Sequence, residues 1–412
     1  MTKTELGYYT VNNQSFGTNK VAAVLEAQKT GADVEWNFHD SVFNAVDWQV
    51  EPELSLDQLY KLRAHQIREQ YDYVIVFCSG GADSNNVIRT FMDNDIHVDE
   101  VVAMIPESGL NNWNWNEKNP SPLNLMSETK YAQYPILNEI TVRKPTTKIT
   151  VLDTFDSMLS NNSDEWIFET EGGMIDMTNF KYGKLDTLPY LVDMAERGVK
   201  IAAVWGTDKP IVVFADDGRV GLLLVDNPVY LPKYPFKNVY PNVDRVLFYW
   251  SQDMPELLVK QGHVVARELS KPENAKIYKA CMDQRTVALT RPAVNSSDDI
   301  LANIKIIDND AVNRYSPATV YQRGIVPFIY PSTHNDSLFQ VHKFDAVQTF
   351  LPAYASWVPT LHNNARVMQM IESDFKLFYS SLSPKYLNST KTGFNSCFKK
   401  YLLGYKINFI NK

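Results

Sequence analysis

Ser79-Gly80-Gly81-Ala82-Asp83-Ser84 gathers two glycines, two hydroxyls and a carboxylate into six consecutive residues. Directly before it stands Tyr73-Val74-Ile75-Val76-Phe77-Cys78, an apolar run with the length and composition of a buried strand. After it, Val87, Ile88 and Phe91 fall on one face of a helix expected over about 83–94. At such a junction, backbone N–H groups and the positive end of a helix dipole can hold a phosphate chain. The glycines let the backbone curl into a concave nest of donors, and Ser79 and Ser84 add hydroxyls. Asp83 would repel a bare phosphate, so its presence implies a bridging cation such as Mg²⁺. A Gly-Gly alone between strand and helix is also ordinary tight-turn chemistry; the serines and the aspartate point to a nucleotide. Two other loop chemistries fail: no Lys-Ser or Lys-Thr follows Gly81, as a Walker A loop requires. Phe77 stands where a G-x-S-x-G nucleophile elbow needs its first glycine.

A second polar cluster, Trp205-Gly206-Thr207-Asp208-Lys209-Pro210, closes a strand expected over 200–205. Gly206 permits close backbone approach, while Thr207, Asp208 and Lys209 supply a hydroxyl, a carboxylate that seeks metal and a cation in one turn. The same residues also make ordinary turn chemistry. Asp253 and Glu256 at the head of a helix are accounted for more cheaply by capping than by catalysis. His263 reads as structural or exposed. The remaining histidines are scattered, so no Ser-His-Asp or His-metal set can be assembled.

S-G-G-x-D-S after a strand resembles the PP-loop of the N-type ATP pyrophosphatases, enzymes that cleave ATP between the α and β phosphates. Residues 56–104, where the helical Tyr60–Glu69 leads straight into the loop strand, look most like the asparagine-synthetase branch. Beyond about residue 215 there is only a general likeness to uncharacterised PP-loop proteins that tailed phages often encode. The resemblance implies an adenine-nucleotide α/β fold, with Mg²⁺·ATP seated by its pyrophosphate end on Ser79, Gly80, Gly81, Asp83 and Ser84. It implies that the segment with Gly206, Thr207, Asp208 and Lys209 faces the α-phosphate, Lys209 offsetting charge that grows there during attack. Main-chain groups of Met104 and Ile105 would read adenine, with Glu107 near the ribose. The implied reaction is an AMP-forming ligase step: a carboxylate or amide oxygen of a small acceptor is adenylated, and ammonia or an amine displaces AMP. Thr2 stands where a glutaminase would carry its N-terminal cysteine, so the nitrogen donor is expected to be free ammonia, an amine or a separate partner. Cys397 lacks the reductase motif, and the paired cysteines common in thiolation enzymes are not evident.

Composition narrows the partners. Among 412 residues the net charge is −8, which argues against a broad nucleic-acid surface. One stretch runs the other way: 375–412 has no Asp or Glu but carries Lys376, Lys385, Lys391, Lys399, Lys400, Lys406 and Lys412. This is either a solvated basic tail or a set of lysines that closes over an anion. A nucleic-acid-modifying enzyme docking through that tail, or a nucleotide-binding regulatory protein with little turnover, are the rival readings; the intact Asp83 favours catalysis. Only Cys78, Cys281 and Cys397 occur, without zinc or iron–sulfur spacing. Free thiols, no apolar leader and no membrane-length apolar stretch fit a cytoplasmic protein without a membrane partner. Homo-oligomerisation is left open.

The elements that must position these residues alternate. Strands are expected at 73–78, 98–105, 148–152 and 200–205, with helices at 55–70, 83–94 and 189–197, giving a doubly wound, mainly parallel α/β sheet. Ser55 and Gln58 form a capping box for the first of these helices. A hairpin pairs 211–214 with 220–225 around Asp217-Gly218. Three parts are expected: an α+β segment over 1–56, the ATP-binding domain over 57–228, and a mostly helical C-terminal domain over 229–412. Helices are expected there at 255–268, 273–282, 298–307 and 365–379.

Overall fold

The computed structural model describes residues 7–17, 20–105, 132–153, 188–207, 209–215, 217–226, 240–290, 321, 324–330 and 398–406. The chain begins with β1 (Tyr8–Val11), β2 (Gln14–Ser15), α1 (Lys20–Thr30) and β3 (Glu35–Asn37), then α2 (Asp40–Phe43). The first three strands form an antiparallel sheet in the order β2-β1-β3. Asn12 and Asn13 join β1 to β2 with φ of 49° and 64°, the paired positive values of a two-residue hairpin turn that asparagine tolerates.

The capping box at Ser55 forms in full and starts α3 (Leu56–Gln70): the Gln58 N–H donates to Ser55 Oγ, and the Ser55 N–H to Gln58 Oε1. Then come β4 (Tyr73–Cys78), α4 (Ala82–Asp93), β5 (Glu100–Ile105), α5 (Tyr134–Arg143), β6 (Lys148–Asp153), α6 (Pro189–Glu196) and β7 (Ile201–Trp205). β8 (Ile211–Phe214), β9 (Arg219–Val225) and β10 (Val243–Leu247) follow, and then α7 (Pro255–Leu269), α8 (Ala275–Thr290), α9 (Val326–Ile329) and β11 (Phe398–Lys406).

Five parallel strands make the central sheet, in the order β10-β7-β4-β5-β6. Strands covered on both faces read as near-continuous apolar runs, and the buried Val74–Val76 and Ile201–Val204 stretches are of that kind. From β4 the chain builds outward through β5 and β6, then returns to the other side of β4 for β7 and β10. The order reverses between β4 and β7, compatible with a doubly wound fold. In such sheets a crevice opens outside the carboxyl ends at the reversal. The 79–84 loop and the 206–210 turn leave the two strands that flank it.

β10 lies after residue 228 and still belongs to the central sheet, with Val243 opposite Ile201 and Leu247 opposite Trp205. The 211–225 hairpin gains a third strand from the lysine-rich end, as β11 pairs antiparallel with β9, Tyr401 opposite Leu222. There Lys399 Nζ binds Asp40 Oδ2 at 2.6 Å, and Tyr401 stacks on Trp48 with centroids 4.2 Å apart. The described part of that end is thus a paired strand. Helix α7 occupies the expected 255–268, while α8 starts at Ala275 after a 3-10 turn at Pro272–Asn274 and runs to Thr290, past the expected 282; the helices expected at 298–307 and 365–379 lie outside the described residues. Among the described residues, no helix is long and apolar enough to cross a membrane.

Candidate active site at the carboxyl end of the sheet

The loop is built around Gly80, whose φ of +77° favours glycine. A Cβ there would stand 2.7 Å from the backbone N of Gln133 and 2.9 Å from the carbonyl carbon of Ala132, so any side chain would displace that segment. Gln133 in turn ties two strand ends together, its Nε2 donating to the Cys78 carbonyl (3.0 Å) and the Met104 carbonyl (3.4 Å). The two hydroxyls spend bonds inside the loop: Ser79 and Ser84 Oγ lie 3.1 Å apart, and Ser84 Oγ accepts the Ser79 N–H at 3.2 Å. Ser79 Oγ accepts the Gly81 N–H, and Ser84 Oγ donates to the Gly81 carbonyl, both at 3.2 Å. α4 starts at Ala82 with no side-chain cap. The amides of Ala82, Asp83 and Ser84 in its first turn have no acceptor within the helix, and the dipole there favours negative charge.

Gly206 settles the second cluster. Its Cβ position lies 2.9 Å from the carbonyl carbon and oxygen of Asp83 and from the Ser84 nitrogen, so the end of β7 rests directly on the first turn of α4. Phe77 and Trp205 stack at 4.0 Å beneath this contact. Thr207 is half-buried beyond it. Lys209 is 8% exposed and forms an ion pair through Nζ with Asp83 Oδ2. Asp83 and Lys209, 126 positions apart in the chain, are therefore brought together. Met104 and Ile105 end the neighbouring strand β5. Asp208 and Glu107 lie outside the described residues.

Several partners had no clear signal in the sequence. Tyr330 donates to Asp83 Oδ1 at 2.5 Å, and Tyr249 donates to the Asp83 carbonyl at 2.9 Å while accepting Asn86 Nδ2 at 3.0 Å. Asn86 was the most legible, one helical turn after Asp83 and so on its face of α4. Tyr249 and Tyr330 come from distant segments that carry no motif. Burial holds both phenols well above the ordinary range, with Asp83's negative charge adding to the shift in each. Both are therefore neutral donors to Asp83.

Asp83 is the carboxylate that the described loop offers to a metal. Among the described residues, no group of three or more His, Cys, Asp or Glu gathers to hold an ion unaided. One carboxylate fits the way Mg²⁺ is commonly carried, with substrate phosphates and water completing its shell. The other two candidates have structural surroundings. His263 is buried with Nε2 2.9 Å from the Trp48 carbonyl. α7 begins after Met254, which makes no side-chain cap bond; Glu256 lies in its first turn, where the helix dipole favours a negative charge, and the Asp253 backbone is held by Ser251 Oγ and Gln66 Nε2. No protein-family model matches the chain, and no curated protein matches it.

Proposed function

We propose that the protein is an ATP pyrophosphatase of the PP-loop type, an AMP-forming ligase that adenylates a small acceptor. One observation carries this reading: Asp83 from the glycine-rich loop and Lys209 from the turn after β7 meet at an uncapped helix N-terminus, where the strand order reverses. A doubly wound sheet places its ligand there. In this reading the amides of Gly80, Ala82, Asp83 and Ser84 receive the pyrophosphate end of ATP, with Ser79, Gly81 and Ser84 keeping the loop in shape. Lys209 faces the α-phosphate, and the end of β5 at Met104 and Ile105 borders the adenine. Asp83 is the residue that would hold Mg²⁺, which would supply positive charge to the pyrophosphate end of the nucleotide.

The acceptor oxygen forms a bond to the α-phosphorus as the bond from that phosphorus to the bridging α–β oxygen breaks. The electron pair leaves on pyrophosphate. Ammonia or an amine then attacks the acyl carbon and gives up a proton to water, and the bond from that carbon to the adenylated oxygen breaks as AMP departs. The protein contributes positioning and charge stabilisation. Lys209 serves best as an ammonium that need not be reoriented as charge develops.

The test is product identity. Protein incubated with ATP, Mg²⁺ and a pool of small carboxylates and amines should release AMP and pyrophosphate in equal amounts. Release of ADP and phosphate, or no nucleotide binding, overturns the reading.

A further inference from the structure

Both oxygens of Asp83 are engaged, Oδ2 by Lys209 Nζ and Oδ1 by Tyr330 OH at 2.5 Å. Only 25% of the Asp83 side chain is open, so the approach left to a cation is narrow. Tyr330 is itself anchored. It follows α9, whose Ile329 carbonyl accepts the Tyr60 hydroxyl at 2.5 Å, and Tyr60 accepts Gln261 Nε2 at 2.9 Å. Its ring packs beside Tyr249 with centroids 5.3 Å apart, and Lys209 Nζ lies 5.9 Å from its centroid. Tyr321, earlier in the same stretch, donates to the Pro210 carbonyl and accepts the Val212 N–H, each at 3.0 Å. The two tyrosines thus bracket the ion pair, Tyr321 on the turn that carries Lys209 and Tyr330 on Asp83.

We propose that Tyr330 is a positioning residue that latches Asp83: its hydroxyl covers Oδ1, and a divalent cation reaches that oxygen only as the phenol gives way. The latch rests on the nucleotide reading of the loop given above. A neutral phenol donating to a carboxylate makes a strong, charge-assisted bond. Mg²⁺ needs its oxygen ligand at about 2.0–2.1 Å in near-octahedral geometry, and the phenol already occupies one of the accepting directions of Oδ1. Tyr330 therefore raises the cation concentration needed for metal-dependent nucleotide binding. Tyr249 bonds only the main-chain oxygen of Asp83 and leaves the carboxylate untouched.

The experiment titrates Mg²⁺ at fixed ATP and reads bound nucleotide by equilibrium dialysis, with no turnover needed. Tyr330→Phe should lower the half-saturating Mg²⁺ about tenfold, the worth of one hydrogen bond to a charged group. Tyr249→Phe, equally buried, should move it less, because the Tyr249 hydroxyl reaches the carboxylate only through Tyr330. In an Asp83→Asn background the Tyr330→Phe effect should vanish. A midpoint that is unmoved or raised in Tyr330→Phe, or one that Tyr249→Phe moves equally, overturns the latch and leaves the nucleotide reading standing. Absence of ATP binding by the wild-type protein at every Mg²⁺ concentration overturns both. Thermal melting shows whether Tyr330→Phe folds. If it does not, Tyr60→Phe loosens the same segment by losing the bond to Ile329, and an unmoved midpoint there also sinks the proposal.

Discussion

The two ends of the central sheet carry nearly the same chemistry and put it to different use. At the carboxyl end, Asp83 is met by one lysine and one phenol on its carboxylate. At the amino end, Glu100 accepts Tyr73 OH at 3.0 Å and Tyr190 OH at 2.5 Å, and Thr150 Oγ1 as well. Lys148 Nζ lies 3.9 Å from it. Glu100 is wholly buried (0% exposed), whereas the Asp83 side chain is 25% open. Glu100 faces no glycine-rich loop; it sits where β4, β5 and β6 begin and ties their starts together. Asp83 sits on the first turn of a helix whose leading amides have no acceptor within the helix, beside a glycine that admits no side chain. A carboxylate with tyrosines and a lysine therefore does not make a site by itself. Access, a helix N-terminus and close backbone approach distinguish the two.

The largest effect expected tests the open end. If Asp83 holds the metal as proposed, Asp83→Asn should cut ATP-dependent pyrophosphate release by about a thousandfold or more. Its melting temperature should change less than that of a variant at the closed end. Full activity in Asp83→Asn would erase the distinction. Glu100→Ala should do the reverse. It strands three hydroxyls that Glu100 now accepts, and leaving a buried polar group unpaired costs about 1–3 kcal/mol. Denaturant unfolding measures this; the folded fraction should still bind ATP like the wild type. A Glu100→Ala protein of normal stability would show that the closed end holds nothing together.

The difference between the ends was only half legible in the sequence. Loop residues 79–84 and the strand before them are consecutive, so their order carried the signal, and Gly206 stood out as a glycine at a strand end. Local patterns likewise gave α3 with its cap, β4, β5, β6, β7 and the hairpin β8–β9. β10 was not legible because Asp244-Arg245 interrupts its apolar run; in the fold, Asp244 accepts Tyr71 OH at 2.9 Å, which offsets the polar residue in a strand. The lysines of β11 suggest either a solvated tail or an anion clamp, and they hide a strand whose partners lie near residues 40 and 222. Tyr330 was invisible for a related reason. A tyrosine announces burial, but its hydroxyl's partner is 247 positions away, and only the fold supplies that contact.

Raising pH should sharpen the comparison, since both ends depend on neutral phenols. Burial first, and then the nearby carboxylate, lift Tyr73 and Tyr190 as they do Tyr330. A phenol whose folded pKa stands above its unfolded value of 10.0 contributes fully below that pH. The contribution is lost as pH climbs past it, at about 1.4 kcal/mol per pH unit for each fully buried group. Stability should thus hold steady up to the thiol range and fall steeply above pH 10. Cys281 starts the decline, because burial pushes its thiol from 9.0 up to about 12. Denaturant midpoints across this range measure the slope, and Cys281→Ala should flatten its first part. Phenols at both ends that ionise at their ordinary value in a folded protein would remove neutral donation as the shared feature.

The smallest effect separates the two lysines. Lys148 is 47% exposed and stands 3.9 Å from Glu100, its ammonium 3.2 Å above the Tyr190 ring. Solvent screens such a pair, and the ring contact adds little at an exposed position, so Lys148→Met should cost less than about 1 kcal/mol. Lys209 is mostly enclosed and lies on Asp83 itself, so Lys209→Met should remove nucleotide turnover while Lys148→Met leaves it alone. The reason is that Glu100 is already satisfied by three hydroxyls, whereas Asp83 has one phenol and depends on a cation for the rest. A Lys148→Met protein as unstable as Glu100→Ala would mean that Glu100 also needs its cation. Exposure would then no longer explain why one end is a lock and the other a site.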